Sequence, residues 1–418
     1  MGKTIHHGNI VYALDNQELA VWEDSCILVE DGFVKQIAKT ISDLSAEYID
    51  HQDGIIIPAF TDLHIHASQY VQRGIGMDKL LFDWLQDYTF PQEANFKDLA
   101  YAKAVYDELV HELLLKGTFH SALFATIHYE ASDYLFKKLD EAGLYSYVGK
   151  VCMDINSPDI LCETAAEAVA ESERFVREHL YSKRVKPILT PRFAPTCSDE
   201  VLAGLGAIAA KYQVGLQTHL VESKAEAAFA LETHPQFSCD SAIYEHYGLM
   251  EHGPTIFAHV IFPSETDKEI LRRHDCYLVH CPEATNNIIA GIMPVHNLQQ
   301  EGFNVTLGCD VAGGSDIGLY RQMAEAVRLS KLKEFYEPEN KTIMFKNAFY
   351  MATKAGGKAF DRVGSLEPGY RFNALVIDGL NEKMRKLTVA ERLERFAYKG
   401  DERNIVARYI DGNFIDVD

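Results

Sequence analysis

Two histidines separated by one residue follow the apolar run at 55–60: His64 and His66, in the segment Asp62-Leu63-His64-Ile65-His66. Because the side chains of a strand alternate between its faces, both imidazoles are expected to project the same way. Imidazole nitrogen suits Zn, Fe or Ni better than Ca or Mg, so the pair suggests half of a catalytic metal site. An isolated pair is also explained by one core and one surface histidine. The interpretation therefore depends on further ligands at matching positions.

Three more metal-competent residues end other apolar runs, namely His219, His259 and Asp310. In α/β barrels the catalytic groups come from the C-terminal ends of several strands, which is where these residues are predicted to lie. These residues together could hold one divalent ion and leave one coordination position for water. A zinc ion lowers the pKa of a bound water molecule to about 7. The predicted ligand set is His64, His66, His219 and Asp310.

Proton transfer needs a separate group, and Glu222 lies three residues beyond His219. Glu222 could protonate a ring nitrogen of the substrate and later help the leaving group depart. The alternative is an exposed glutamate in the first turn of a helix. His259 is predicted to donate a hydrogen bond to the attacked centre rather than to be a necessary fifth ligand.

The elements that must position these residues alternate regularly. Eight short apolar stretches are each followed by a helical segment, and apolar residues at helical spacing mark helices at 163–180 and 319–336. Eight βα units predict a closed parallel (β/α)8 barrel, although a doubly wound open sheet gives a similar alternation. The predicted strands span 59–66, 120–126, 146–152, 186–192, 214–219, 255–259, 276–280 and 303–310.

Both ends of the chain have a different pattern, typical of β structure. Near the N-terminus, the runs 25–30 and 33–37 flank Asp31-Gly32, a two-residue hairpin signal. After Gly364, further apolar runs span 374–377 and 405–410. We predict one composite β-sandwich-like domain, formed by 1–58 and 364–418, beside a catalytic barrel at 59–363.

Composition narrows the partners and the compartment. The 418 residues carry a formal net charge of −21, which repels phosphate backbones and anionic lipid, so nucleic acid and membrane partners are not expected. A neutral small substrate remains compatible with this charge. The eight cysteines include no Cys-x-x-Cys pair, and no apolar run approaches the roughly 18 residues of a membrane span. We expect a cytoplasmic protein with reduced thiols and no signal peptide.

Taken together, these residues resemble the amidohydrolase superfamily and, within it, the bacterial guanine deaminases. The resemblance covers almost the whole chain, including the split β region. His-x-His marks the superfamily, whereas Gln69 and Arg192-Phe193 narrow it to the purine deaminases. The motifs that carry it are Asp62-Leu63-His64-Ile65-His66-Ala67-Ser68-Gln69-Tyr70, Thr190-Pro191-Arg192-Phe193, His219-Leu220-Val221-Glu222, Gly308-Cys309-Asp310-Val311-Ala312-Gly313-Gly314 and Gly400-Asp401-Glu402-Arg403-Asn404-Ile405.

This resemblance implies a TIM-like (β/α)8 metal-dependent hydrolase with a small β domain, forming a homodimer and converting guanine to xanthine and ammonia. It implies one Zn²⁺ per subunit, with Fe²⁺ as an alternative, at the four predicted ligands. Glu222 and Asp310 would shuttle protons while His259 orients the substrate or water. The implied contacts to the purine base are Gln69 and Arg192 at its polar edge, Phe193 at its face, and also His219 and Glu222.

One segment departs from the family pattern. The family usually has His-Cys-Pro, one residue, and then Ser-Asn, whereas this chain has His280-Cys281-Pro282-Glu283-Ala284-Thr285-Asn286-Asn287. The change falls on a loop at the mouth of the predicted site and leaves the metal chemistry intact. A related deaminase or chlorohydrolase acting on a pterin, 8-oxoguanine, isocytosine or a triazine therefore stays open.

Three other classes fit less well. Cytidine-deaminase-like enzymes combine His-x-Glu with Pro-Cys-x-x-Cys, and His128-Tyr129-Glu130 supplies only the first half. Binuclear relatives usually carry a modified lysine after the fourth barrel strand, where this chain has Arg192, which favours one metal. A non-catalytic barrel scaffold would be expected to lose ligands, and this chain retains all of them.

Overall fold

The computed structural model describes residues 2–417, which form seventeen strands and fourteen α-helices. The strands are β1 (Lys3–Ala13), β2 (Leu19–Glu30), β3 (Phe33–Ala38), β4 (Glu47–Pro58), β5 (Phe60–His66), β6 (Thr118–Phe124), β7 (Tyr145–Gly149), β8 (Val151–Cys152), β9 (Val185–Pro187), β10 (Thr190–Pro191), β11 (Leu216–Leu220), β12 (Thr255–His259), β13 (Tyr277–His280), β14 (Asn304–Leu307), β15 (Ala374–Ile377), β16 (Ile405–Ile410) and β17 (Asn413–Phe414). The α-helices are α1 (Leu81–Trp84), α2 (Phe90–Ala94), α3 (Leu99–Lys116), α4 (Tyr129–Glu141), α5 (Ala165–His179), α6 (Asp199–Tyr212), α7 (Lys224–Thr233), α8 (Asp240–His246), α9 (Glu265–Arg273), α10 (Pro282–Asn287), α11 (Val295–Gln300), α12 (Leu319–Tyr336), α13 (Phe345–Tyr350) and α14 (Val389–Lys399). Short 3₁₀ turns span Ala67–Gln72, Asn95–Lys97, Asp159–Leu161, Ala194–Thr196 and Glu402–Asn404, and π turns span Leu85–Thr89 and Met351–Ala355.

Strands β5 to β14 form the barrel, in two parallel ladders ordered β5-β6-β7-β9 and β11-β12-β13-β14. The backbone N–H of Leu189 donates to the carbonyl of Gly215 at 3.0 Å and joins the two ladders. On the other side, the N–H of Asp310 donates to the carbonyl of His64 at 2.9 Å. The predicted TIM-like (β/α)8 fold is thus confirmed, and the open sheet is excluded.

The last barrel strand ends earlier than the sequence predicts, at Leu307 instead of Asp310. The backbone N–H of Cys309 turns towards the Asp62 carboxylate, at 3.2 and 3.3 Å from its two oxygens. That carboxylate also accepts from the N–H of His64 at 3.0 Å. Asp62 therefore ties the end of the last strand to the first one, and Asp310 leaves the ladder to face the barrel axis.

Helix ends follow their capping residues. The predicted helix 163–180 begins at Ala165, because Thr164 and Glu167 form a reciprocal capping box, and it ends at His179. The predicted helix 319–336 matches α12. No helix within residues 2–417 has both the length and the apolar character needed to cross a membrane.

Strands from both chain ends form one seven-stranded sheet, ordered β17-β16-β15-β4-β1-β2-β3. Antiparallel pairing of β15 with β4 joins the two ends, and Asp31-Gly32 makes the predicted turn between β2 and β3. Strand β4 runs through Pro58 almost directly into β5, so this sheet anchors the strand that carries His64 and His66. The domain boundaries at 58 and 364 stay a prediction.

Helix α14 was not predicted from the sequence. Its N-terminal signal is the pair Thr388 and Glu391, which forms a capping box in the structure. The helix packs its apolar side inwards through buried Leu393 and Phe396.

Candidate active site

The four residues predicted as metal ligands lie together at the C-terminal end of the barrel. The Nε2 atoms of His66 and His219 are 3.0 Å apart. The Oδ1 atom of Asp310 lies 3.2 Å from His64 Nε2 and 3.5 Å from His66 Nε2. The possible ligand atoms of His64, His66 and His219 all lie within 4.8 Å of one another. These distances are compatible with one metal ion bound between the four side chains, and their role as ligands stays a prediction.

The hydrogen bonding of these imidazoles fits a cation between them. His219 Nδ1 lies 2.6 Å from the carbonyl oxygen of Arg192, so Nδ1 carries the proton and Nε2 presents a lone pair. Both ring nitrogens of His64 are buried and have no hydrogen-bond partner among residues 2–417. Buried polar atoms are rarely left without partners, and three imidazoles beside a carboxylate form a donor set suited to zinc. The residues present therefore fit a divalent metal ion.

His259 lies beside the other carboxylate oxygen of Asp310, and its ring centre is 5.3 Å from that of His64. Its Nε2 atom is 3.5 Å from Glu222 Oε1 and 3.8 Å from Asp310 Oδ2, and neither ring nitrogen has a hydrogen-bond partner in the part of the chain that the structure describes. With His64 and Asp310, His259 forms a second group whose ligand atoms lie within 4.8 Å of one another. The geometry accommodates both the predicted contact to the reacting centre and a bond to the metal.

Burial sets the protonation of the cluster. It lowers the pKa of His64 and of His219 to about 3, so both rings are neutral at physiological pH, as ligand imidazoles must be. Burial, reinforced by the nearby Asp310 carboxylate, raises the pKa of Glu222 to about 8. Glu222 is therefore mainly a neutral carboxylic acid at pH 7, and it is buried rather than exposed on a helix.

Four residues at the strand ends have left-handed backbone conformations. The φ angles are 44° at Val221, 74° at His259, 48° at Val260 and 47° at Asp310. Such conformations cost about 1–3 kcal/mol each in non-glycine residues and cluster at functional sites. Two of the four are predicted site residues, and Val221 directly precedes Glu222. The N–H of Val221 is held by Asp240 Oδ2 at 3.2 Å, a support that the sequence does not reveal.

A pocket opens from this cluster. It is lined by all the predicted substrate contacts, which are Gln69, Arg192, Phe193, His219 and Glu222, together with His66, His259 and Asp310. Gln69 lies on the 3₁₀ turn that follows β5, and Arg192 and Phe193 follow β10. The remaining wall is apolar and was not predicted: it includes Leu81, Phe82, Trp84, Leu85 and Ile288. The only sequence signal for it is the apolar character of 80–85.

Glu93 is a polar residue of this site that the sequence did not single out. Its Oε1 accepts a hydrogen bond from Gln69 Nε2 at 2.8 Å, and its Oε2 accepts from Arg192 Nη1 at 2.5 Å. The side chain is buried on the short helix α2. A single glutamate in a short helix has no pattern that separates it from a surface residue.

A (β/α)8 barrel with this histidine and aspartate cluster at its strand ends defines the class of the protein as a metal-dependent barrel enzyme. The chain belongs to the amidohydrolase family, because the sequence model of that family matches residues 55–415. It is 30% identical to a guanine deaminase of Dictyostelium discoideum, over 98% of this chain and 97% of that protein. It is also 27% identical to a guanine deaminase of Escherichia coli K12, over 97% of this chain and 95% of that protein. A crystal structure of guanine deaminase from C. acetobutylicum with bound guanine in its active site has 40% sequence identity and a TM-score of 0.96, covering 99% of this chain and 100% of that one.

Proposed function

We propose that this protein hydrolyses guanine to xanthine and ammonia. The observation that carries the proposal is one pocket in which an arginine and a glutamine side chain, Arg192 and Gln69, face the same space as Glu222 and the histidine cluster. A flat heterocycle with a carbonyl and ring N–H groups needs guanidinium and amide partners. The full-length likeness to guanine deaminases, one of them with guanine bound, supports this substrate.

The metal would be held by His64, His66, His219 and Asp310, with Zn²⁺ favoured by the imidazole donors and Fe²⁺ as the alternative. When bound, such an ion supplies Lewis-acid chemistry that makes water nucleophilic near neutral pH. The neutral imidazoles support this assignment, because a protonated histidine cannot be a ligand. His219 is oriented for it by the hydrogen bond from Nδ1 to the Arg192 carbonyl.

Proton transfer falls to the two carboxyl groups. Glu222 holds a proton at Oε1 or Oε2, and donates it to the ring nitrogen next to C2 as water adds there. The water gives up two protons as the C2 carbonyl forms: one returns Glu222 to its protonated state, and the other is moved by Asp310 and Glu222 to the departing amino group, so that ammonia leaves as a neutral molecule. His259, 3.5 Å from Glu222 Oε1, orients the water or the adduct.

Orientation of the base falls to the residues on the far side of the pocket. Arg192 can only donate hydrogen bonds, so it pairs with acceptors of the purine, while Gln69 can both donate and accept. Phe193 contacts the ring face, and the apolar wall at Leu81, Trp84 and Ile288 excludes bulk water. The amino group at C2 is then turned towards the histidine cluster.

Guanine turnover followed by ultraviolet absorbance, together with metal analysis of the same sample, tests the proposal. We expect about one zinc or iron per subunit and conversion of guanine to equal amounts of xanthine and ammonia. Pterin, 8-oxoguanine, isocytosine and a triazine serve as comparison substrates. If the protein holds its full metal content and converts one of these comparison substrates but not guanine, the substrate assignment is wrong. The assignment as a metal-dependent hydrolase of a heterocycle would still stand.

Replacing Arg192 with alanine should raise KM for guanine by about tenfold to a hundredfold, which corresponds to the loss of hydrogen bonds from a charged group. Metal content should stay near that of the wild type, since only the backbone of Arg192 contacts His219. The matched control is Arg177→Ala, at an exposed position on α5. Equal losses of metal and of guanine binding in Arg192→Ala would contradict a substrate-binding role.

We also propose a cytoplasmic homodimer. All eight cysteines are unpaired in the structure, which supports a reducing compartment. Phe335 and Tyr336, both 76% exposed at the end of α12, offer apolar surface for a second copy. Light scattering on the purified protein would measure the assembly, and a monomer at micromolar concentration would refute the dimer.

A further inference from the structure

Glu93 connects the two side chains to which the base-binding role is assigned. One carboxylate oxygen accepts from the amide of Gln69 and the other from the guanidinium of Arg192. The side chains of Glu93 and Arg192 are only 8% and 6% exposed, so the pair is shielded from water. A bridging carboxylate in this position controls both the orientation of its neighbours and their charge.

The amide of Gln69 is held in one of its two orientations. Its Nε2 donates to Glu93, while its Oε1 accepts from the N–H of Ala312 at 3.4 Å. Turning the amide over would bring Oε1 against the Glu93 carboxylate and leave two acceptors facing each other. Oε1 has a second lone pair, which remains available to an N–H group of a ligand.

The charge of Arg192 is cancelled inside the pocket. Its Nη1 atom is committed to Glu93, and its guanidinium lies 5.5 Å from the ring centre of Phe90. The remaining N–H groups of Arg192 can donate to a ligand, but the pair with Glu93 has no net charge. An unpaired buried arginine would instead attract anions strongly, because charges interact over short distances in a medium of low dielectric constant.

We propose that Glu93 is a positioning and specificity residue that fixes the amide of Gln69 and neutralises the charge of Arg192. As a result, the pocket binds a neutral ring that carries an acceptor beside an N–H donor more tightly than it binds the anion of that ring. This inference rests on the proposed function and deepens it. Deamination replaces an amino group with a carbonyl group, which makes the neighbouring ring N–H groups of xanthine more acidic. A neutralised Arg192 keeps the pocket from retaining that anionic product.

The test is Glu93→Gln, which preserves size but removes the charge and places an NH2 group against one of the two donors. KM for guanine should rise about tenfold, the effect of losing one hydrogen bond to a charged group. Binding of the xanthine anion, measured by calorimetry at a pH where xanthine is ionised, should become about tenfold tighter because Arg192 is no longer neutralised. Metal content and the thermal midpoint are measured on the same samples. Glu141→Gln removes one charge from an exposed position on α4 and should change neither constant.

Opposite changes for the neutral base and the anion distinguish this role from a structural one. Weaker binding of both ligands in Glu93→Gln, or an unchanged affinity for the xanthine anion, would overturn the inference. If Glu93→Gln does not fold, Glu93→Asp decides: it keeps the charge, so KM for guanine should rise while the xanthine anion still binds as weakly as in the wild type. Tighter anion binding in Glu93→Asp would contradict neutralisation. Wild-type protein that does not deaminate guanine would refute the proposed function, whereas the anion measurements would still test Glu93.

Discussion

The Glu222→Gln variant is expected to have a kcat for guanine that is lower than that of the wild type by a factor of about 10²–10⁴. Its metal content should equal that of the wild type. Glutamine has nearly the same size but cannot release and recapture a proton. Glu222 is buried and mainly protonated at pH 7, since the surrounding protein raises its pKa to about 8. Steady-state kinetics and metal analysis on one preparation measure the two quantities separately.

A matched control comes from the helix that follows Glu222. Glu232 is exposed on α7, and Glu232→Gln makes the same glutamate-to-glutamine replacement without reaching the pocket, so kcat should be unchanged. Full activity of Glu222→Gln would end its assignment as the proton carrier. A parallel loss of metal would instead indicate that Glu222 supports the cluster at Asp310 and His259.

The His66→Ala variant is expected to lose its stoichiometric metal and to fall at least about 10³-fold in kcat/KM, because several kcal/mol of transition-state stabilisation depend on the bound ion. His66 Nε2 lies 3.0 Å from His219 Nε2 and 3.5 Å from Asp310 Oδ1. Replacing His66 therefore removes a ligand that lies between two others of the predicted set. Atomic spectrometry measures the metal, and guanine turnover measures the activity.

Thermal unfolding gives a second, activity-independent test of the same site. A ligand that binds only the folded state stabilises it, so chelation should lower the thermal midpoint of the wild type and leave that of His66→Ala unchanged. His111→Ala, at an exposed position on α3, is the control and should respond to chelation as the wild type does. Full metal occupancy in His66→Ala would show that the ion is held by another set of residues, such as His64, His259 and Asp310.

Local patterns predicted much of the fold. Short apolar stretches predicted the eight βα units, and apolar residues at helical spacing predicted the range of α12. Both predictions succeed because the periodic burial of one face is encoded in neighbouring residues. Helix α14 departs from the β structure predicted after Gly364, and its local sequence signal is the capping box of Thr388 and Glu391. The strand predicted to reach Asp310 ends at Leu307 because Asp62, which is 247 residues away from Cys309, captures the backbone there. Competition from such a distant side chain has no local signature.

The sequence by itself determined which residue types stand at the strand ends. His64, His66, His219, Glu222 and Asp310 could be chosen because parallel barrel strands bring their C-terminal ends to one face. Only the tertiary structure decided how the substrate side of the pocket is built. Glu93 meets Gln69 and Arg192 across 24 and 99 residues of chain, and the apolar wall comes from short helices without a pattern of their own. Contacts of that kind depend on how the barrel closes and how its loops fold over it, which no periodicity in the chain records.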